Sequence, residues 1–106
     1  MQSVVIVTTT LPNSMSIEQI LQYKNKLIES KFCACAQSNK INSTYIWDGE
    51  IISEDEWEIS VKTTKNNLED LISTIENTHP YDIPQITHKL ESTTDEYANW
   101  VSDQVK

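Results

Sequence analysis

The chain has 106 residues and a formal net charge of −8, from 16 acidic and 8 basic side chains. That length suits one domain over residues 1–106 and leaves no room for a second. An acidic surface repels phosphate backbones and anionic lipid headgroups, so nucleic acid is not an expected partner. No apolar run approaches the roughly 20 residues that span a bilayer, and no basic-then-apolar leader begins at Met1. We therefore expect a cytoplasmic protein without a membrane partner.

Two cysteines occur, Cys33 and Cys35. Alternate residues of a strand point the same way, which disfavours a disulfide between such near neighbours. We interpret both as reduced thiols, in agreement with a reducing compartment. Two cysteines are also too few for a self-contained structural zinc site with four ligands.

The first half of the chain predicts a strand, a helix and a hairpin. Residues 3–10 are almost wholly β-branched, which favours a central strand that ends at Pro12. Ser16 and Gln19 have the spacing of a capping box, and the helix that follows should run for about four turns. Its apolar positions are Ile17, Ile20, Leu21, Leu27 and Ile28. Asp48-Gly49 then lies between two β-favouring flanks, which predicts a type I′ turn.

The second half predicts a strand, a helix, a strand and a helix. Beyond the turn, three apolar residues alternate with polar ones, so one face of the strand should lie under a helix: Trp57, Ile59 and Val61 against Glu56, Glu58, Ser60 and Lys62. A second amphipathic helix must end near His79, because proline disfavours helical geometry in the residue before it. Residues 83–90 are predicted as the fourth strand, with Pro84 at its start, and residues 97–105 as a final helix.

The predicted fold class is α+β, a ferredoxin-like βαββαβ sandwich with a long β-hairpin and a C-terminal helix. Both crossover helices should cover one face of the sheet and leave the other uncovered. Hairpin arms over residues 34–47 and 50–63 would each extend ~45 Å, whereas a sixteen-residue helix covers ~24 Å. The overhanging ribbon has exposed edges, so we expect strands of another subunit to complete it.

Several motifs together resemble the CutA family of divalent-ion tolerance proteins, and they cover nearly the whole chain. They are Thr10-Leu11-Pro12, Ala34-Cys35-Ala36, Ser43-Thr44-Tyr45-Ile46-Trp47-Asp48-Gly49, Val61-Lys62-Thr63, His79-Pro80-Tyr81-Asp82-Ile83-Pro84 and Tyr97-Ala98-Asn99-Trp100. The resemblance implies a homotrimer in which long hairpins pair between subunits, an architecture shared with the PII signalling proteins. It also implies a role in tolerance to or binding of divalent metal ions, copper in particular. The alternative is a PII-like trimer that binds a small-molecule effector or acts as a scaffold.

His79 and Cys35 are the candidate metal ligands, because imidazole and thiolate suit Cu and Zn. The alternatives are a buried hydrophobic role for Cys35 and a helix-capping role for His79. Copper-associated family members have a cysteine where Thr9 stands and a second histidine where Thr78 stands, so this chain departs from their ligand set. We expect Cu or Zn to bind with moderate affinity and no metal to be required for folding.

A second candidate site combines Lys62, Glu56, Tyr81 and Trp47. On the functional interpretation it is an effector pocket for a small anion, with Lys62 as the cation and Tyr81 as a hydrogen-bond donor. On the structural interpretation it is an intersubunit surface whose ion pairs give the interface its specificity. Trp47 and its neighbour Tyr45 are more often packing residues than parts of a ligand cage.

No enzyme is expected, because the sequence has no Gly-rich phosphate loop and no nucleophile elbow. The one alternative is a Cys35–His79 pair acting as nucleophile and base, which would require the two side chains to meet in space.

Overall fold

The computed structural model describes residues 1–106 and contains four strands and three α-helices. In chain order they are β1 (Gln2–Pro12), α1 (Ile17–Glu29), β2 (Cys35–Trp47), β3 (Glu50–Thr63), α2 (Leu68–Thr78), β4 (Ile86–Thr93) and α3 (Asp95–Gln104). The predicted βαββαβ order with a terminal helix is confirmed. None of the three helices combines the length and the hydropathy needed to cross a bilayer.

The sheet has the order β2-β3-β1-β4, and every neighbouring pair is antiparallel. β1 lies between β3 and β4, as its β-branched composition predicts. Val7 pairs with Val61 on β3 and with His88 on β4. On one face of the sheet, alternate strand residues pack against α1 and α2. The core they form consists of Val5, Val7, Leu11, Ile20, Leu27, Cys33, Ile59, Val61, Leu71 and Ile75.

Helix α1 begins as its capping signal predicts. The Ser16 hydroxyl accepts a hydrogen bond from the Gln19 backbone N–H, and the Gln19 side chain accepts one from the Ser16 N–H, at 3.1 and 2.8 Å. The buried residues are Ile20 and Leu27, whereas Ile17 is 75% exposed. The first apolar residue of the predicted stripe therefore lies outside the core.

β4 and α3 differ from the prediction at both ends: β4 ends at Thr93 instead of residue 90, and α3 ends at Gln104 instead of residue 105. Strand β4 begins at Ile86, not at residue 83, because Ile86 is the first residue of this segment to pair with β1, opposite Thr9. Residues 79–85 contact β1 and β3 instead, through the side chains of His79 and Tyr81. Helix α3 begins two residues earlier than predicted, because the Thr94 hydroxyl caps it by accepting a hydrogen bond from the Tyr97 N–H at 3.3 Å.

The sheet face opposite α1 and α2 is only partly open, so the prediction of an uncovered face is wrong at one end. Ala98 and Val101 of α3 pack there against Val4, with Ile6 at the margin. Small apolar side chains on one side of α3 allow this close contact. The remainder of this face carries no helix, and we call it the open face.

The hairpin turn has the predicted conformation. Asp48 and Gly49 have φ values of 51° and 78°, and a type I′ turn requires positive φ at both positions. β1 ends at Pro12, opposite Glu56, so residues 50–55 of β3 pair with β2 alone. The hairpin therefore overhangs the rest of the sheet, and its end exposes Ile46, Trp47 and Ile51.

Candidate functional site

His79 links the segment between α2 and β4 to the end of β1 by hydrogen bonds. Since β4 begins opposite Thr9, Thr10 has no partner on β4. The His79 Nε2 atom lies 2.8 Å from the Thr10 carbonyl oxygen and 3.0 Å from the Thr9 hydroxyl. The imidazole thus contacts β1 just where its pairing with β4 ends.

The hydrogen bonds of His79 define its protonation state. The Tyr81 backbone N–H donates to Nδ1 at 3.1 Å, so Nδ1 carries no proton. Nε2 then carries the proton and donates it to the Thr10 carbonyl, which can only accept. Burial lowers the pKa of His79, although the bond to Thr10 and the nearby Glu56 carboxylate act in the opposite direction. His79 is a neutral imidazole with both nitrogens engaged.

Tyr81 links this segment to the open face of β3. Its hydroxyl donates to the Glu56 carboxylate at 2.8 Å, and Glu56 is only 8% exposed. Burial raises the pKa of Tyr81, and the hydrogen bond to Glu56 raises it further. Tyr81 therefore stays a neutral donor, and a buried carboxylate receives its hydrogen bond from an uncharged partner.

A cleft of about 670 Å³ lies between the overhanging hairpin and residues 80–85. Its lining includes three aromatic side chains, three carboxylates and no lysine, arginine or histidine. The lining residues are Thr10, Ser43, Thr44, Tyr45, Trp47, Glu54, Glu56, Pro80, Tyr81, Asp82, Ile83 and Gln85. The Tyr45 hydroxyl donates to Glu54, and this bond raises the pKa of Tyr45 to about 12. The cleft is negative and partly aromatic.

Glu56, Tyr81 and Trp47, which the sequence grouped with Lys62, do meet in this cleft. Lys62 does not join them within one chain. It lies six residues beyond Glu56 on β3, on the order of 20 Å away along the strand. Its ammonium group donates instead to the Gln37 side chain on β2.

The structure does not bring Cys35 and His79 together. Cys35 pairs with Lys62, which pairs with Ile6, whereas His79 contacts β1 at Thr10. Two strand spacings and four residues separate Cys35 from Thr10, on the order of 15 Å. No group of three or more His, Cys, Asp or Glu side chains is arranged to hold a metal ion.

Thr9 and Thr78, at the two positions where the family resemblance implies metal ligands, have internal partners. The Thr9 hydroxyl contacts His79, and the Thr78 hydroxyl donates to the Thr74 carbonyl oxygen at 2.8 Å. Thr9 is fully buried. Both positions therefore contribute to local structure, and one of them supports His79 directly.

Tyr45 and Glu54 also line the cleft, although the sequence predicts a packing role for Tyr45 and no role for Glu54. The signal was the hairpin register: Ser43 pairs with Glu54, so Tyr45 and Glu54 are diagonal neighbours on one face.

We predict that acidification from pH 7.5 to 5.5 destabilises the protein partly through His79. The folded pKa is lowered, so the unfolded state binds more protons, and stability falls as pH falls through the ordinary value of 6.5. His79→Gln keeps a donor for the Thr10 carbonyl but cannot titrate in this range, so its free energy of unfolding should depend less on pH. Urea denaturation across this range measures the difference. The exposed His88, changed to Gln, is the control; equal pH slopes for wild type and His79→Gln would contradict the prediction.

The family model described as CutA1 divalent ion tolerance protein matches residues 5–104. The divalent-cation tolerance protein CutA of Thermotoga maritima is 36% identical over 102 residues, which cover 95% of this chain and 98% of the relative. The crystal structure of CutA1 from Pyrococcus horikoshii superposes with a TM-score of 0.84 at 29% identity, covering 96% of this chain and 98% of that one. The PII-like protein CutA from a Nostoc species, solved in apo form, has a TM-score of 0.85 at 27% identity, covering 96% and 97%. This chain belongs to the CutA1 family of divalent ion tolerance proteins.

Proposed function

We propose that this protein acts in divalent-cation tolerance as a cytoplasmic homotrimer that binds divalent cations, copper among them. The observation that carries the proposal is the cleft whose three carboxylates have no basic neighbour in its lining, with His79 beside it through the hydrogen bond from the Tyr81 N–H. A net charge of −8 raises the local concentration of cations around the whole molecule. The names of the relatives agree with this class of ligand. The two free thiols, Cys33 and Cys35, support the cytoplasmic assignment.

Divalent ions would bind as exchangeable ligands, not as a resident metal centre. No set of three ligands converges, and both nitrogens of His79 are engaged. Copper or zinc at Nδ1 of His79 would have to displace the Tyr81 N–H, which lowers the affinity. The hydrophobic core is complete without metal, so folding should not require one. Cys35, on the edge strand β2 and on the order of 15 Å from Thr10, would form a separate and weaker contact.

We predict moderate Cu²⁺ affinity that depends on His79. His79→Ala should weaken binding about tenfold, in the lower range for the loss of a group at a metal site. Calorimetric titration of Cu²⁺ into wild type, His79→Ala and the control His88→Ala measures the effect. Equal affinity for wild type and His79→Ala would remove His79 from the site. Unfolding on treatment with a chelator would contradict the exchangeable character of the metal.

Association with other subunits is proposed from the geometry of the hairpin, and three as their number is what the resemblance to the CutA family implies. Residues 50–55 pair with β2 alone, and β2 is an edge strand of the sheet. Ile46 and Ile51 at the end of the hairpin are 74% and 79% exposed. A two-stranded ribbon with exposed apolar side chains is marginally stable in water, which favours pairing with other subunits.

We predict that light scattering gives a mass three times the 12.2 kDa of the chain. Ile46→Lys combined with Ile51→Lys should lower the mass, because lysines at the end of the hairpin oppose its burial. Ile17→Lys is the matched control, since Ile17 is equally exposed but lies on α1. A monomeric mass for the wild type in dilute solution would refute the trimer.

Dissociation should be coupled to unfolding, so the melting temperature should rise with protein concentration.

A second candidate function is the PII-like binding of a small anionic effector between subunits. It is favoured by the Nostoc relative that is described as PII-like. Lys62 and Tyr81 lie far apart within one chain, so such a site would need Lys62 from one subunit and Tyr81 from another. The position of Lys62 on the open face, beside Gln37, makes it available for that contact.

We predict for this candidate that a nucleotide or dicarboxylate raises the melting temperature of the wild type. A ligand that binds only the folded state raises its free energy of unfolding by about 2.7 kcal/mol at a hundred times the Kd. Lys62→Met should abolish the shift, whereas Lys26→Met on the exposed side of α1 should not. A flat thermal-shift screen across both ligand classes would count against effector binding and leave cation binding unaffected.

A further inference from the structure

Residues 105 and 106 follow helix α3 and run back to the turn between α1 and β2. The Lys106 N–H donates to the Lys31 carbonyl oxygen at 2.9 Å, and the Lys106 main-chain oxygen accepts from the Asn67 side-chain amide at 3.0 Å. The Lys106 ammonium group lies 4.6 Å from the centre of the Phe32 ring. Lys106 therefore joins the end of α3 to two other parts of the fold, and we call residues 105–106 the strap.

The turn that the strap contacts has a strained backbone. Lys31 has a φ of 66°, in the left-handed region that glycine adopts readily and a residue with a Cβ atom does not. Its N–H donates to the Ile28 carbonyl oxygen at 3.1 Å, and its own carbonyl oxygen accepts from the strap. The next carbonyl, that of Phe32, accepts from the Thr63 hydroxyl at 2.5 Å. The strap is thus one of the few contacts that hold Lys31 in its conformation.

A buried thiol lies directly after this turn. Cys33 is 1% exposed and belongs to the core on the side of the sheet that α1 and α2 cover. Burial raises the pKa of the Cys33 thiol to about 12. Since the thiolate is the nucleophile and the metal ligand, Cys33 is inert as long as it stays buried. Its reactivity therefore depends on how often the turn opens.

The strap is the weakest link around this turn. Two hydrogen bonds and one ring contact hold Lys106, whereas the neighbouring helices and strands have continuous backbone hydrogen bonds. Short terminal segments open with a small free energy, and core elements open only near the global free energy of unfolding. The turn also lies at the end of β2 away from the hairpin turn, on the order of 40 Å from it. Opening of the strap therefore requires no movement of the hairpin.

We propose that the strap opens by local unfolding, ahead of the rest of the fold, and that its opening uncovers the turn between α1 and β2 and the Cys33 thiol behind it. The closed strap hides the thiol, and the open strap makes it available to thiol-reactive compounds and soft metal ions. This device uses no residue of the proposed cation site and does not depend on that site.

The test is the rate at which iodoacetamide alkylates Cys33 in the full chain with Cys35→Ser, whose one remaining thiol is Cys33. In this reaction the sulfur bonds to carbon, iodide leaves and the thiol proton passes to the buffer. Mass spectrometry follows the labelling over a series of urea concentrations below the unfolding transition. The rate should be nearly independent of urea at the lowest concentrations, because local opening exposes little surface.

Variants of the strap are compared in the same background. Lys106→Pro removes the N–H that the Lys31 carbonyl accepts, and it should raise the labelling rate without urea about fivefold, as expected for the loss of one hydrogen bond. Lys106→Ala keeps this N–H and should raise the rate less. Asn67→Ala removes the other hydrogen bond and should also raise the rate, whereas the exposed neighbour Asn66, changed to Ala, should leave it within twofold. Urea denaturation separates these effects from any loss of global stability.

Three results would overturn the proposal. Labelling that rises with urea from the start, as steeply as global unfolding, would show that Cys33 is exposed only when the whole protein unfolds. Equal rates for the Cys35→Ser parent and Lys106→Pro would show that the strap does not control the turn. Labelling of the parent as fast as that of the urea-unfolded chain would show that the thiol is not hidden at all.

Discussion

The register of the hairpin is the constraint on which the candidate site depends. The two-residue turn at Asp48 and Gly49 places Trp47 opposite Glu50, and this pairing fixes every pair down to Cys35 and Lys62. Because side chains alternate between the faces of a strand, this register puts Tyr45 and Trp47 of β2 on the same face as Glu54 and Glu56 of β3. A slip of one residue would turn one arm over and separate Tyr45 from Glu54. A turn with negative φ would splay the arms.

The other wall of the cleft depends on the late start of β4. The apolar pattern predicts that pairing with β1 begins at residue 83. In that case the backbone groups at the end of β1 would form hydrogen bonds with β4. Instead, His79 binds the Thr10 carbonyl and accepts from the Tyr81 N–H, so Tyr81 projects across the open face to Glu56. One neutral imidazole thus joins β1 to a segment that has no regular structure, and a tyrosine joins that segment to β3. Ile83, 75% exposed, lines the cleft instead of the core.

Sequence patterns between near neighbours predict the helices and strands well. The errors concern which residues meet in space, because those contacts join distant parts of the chain. Caps, turn residues and periodicity depend on neighbours in sequence, which is why α1 and the hairpin were correctly predicted. Periodicity assigns a residue to a face but not to a place along it. That is why Lys62 was grouped with Glu56, although six residues of one strand separate them. The distance between Cys35 and His79 depends on strand order, which no local pattern contains. Tyr45 and Glu54 could have been found by extending the register from the turn.

The distribution of charged contacts explains why cation binding suits this fold without a resident metal. Three of the lysines donate to neutral acceptors: Lys24 to Ser38, Lys40 to Asn13 and Lys62 to Gln37. Two of the three carboxylates of the cleft, Glu54 and Glu56, accept from neutral tyrosines. Opposite charges that could have paired within the chain are therefore held apart, and the acidic excess stays available to external cations. Because no group of three or more ligands converges, cations bound as proposed should exchange fast.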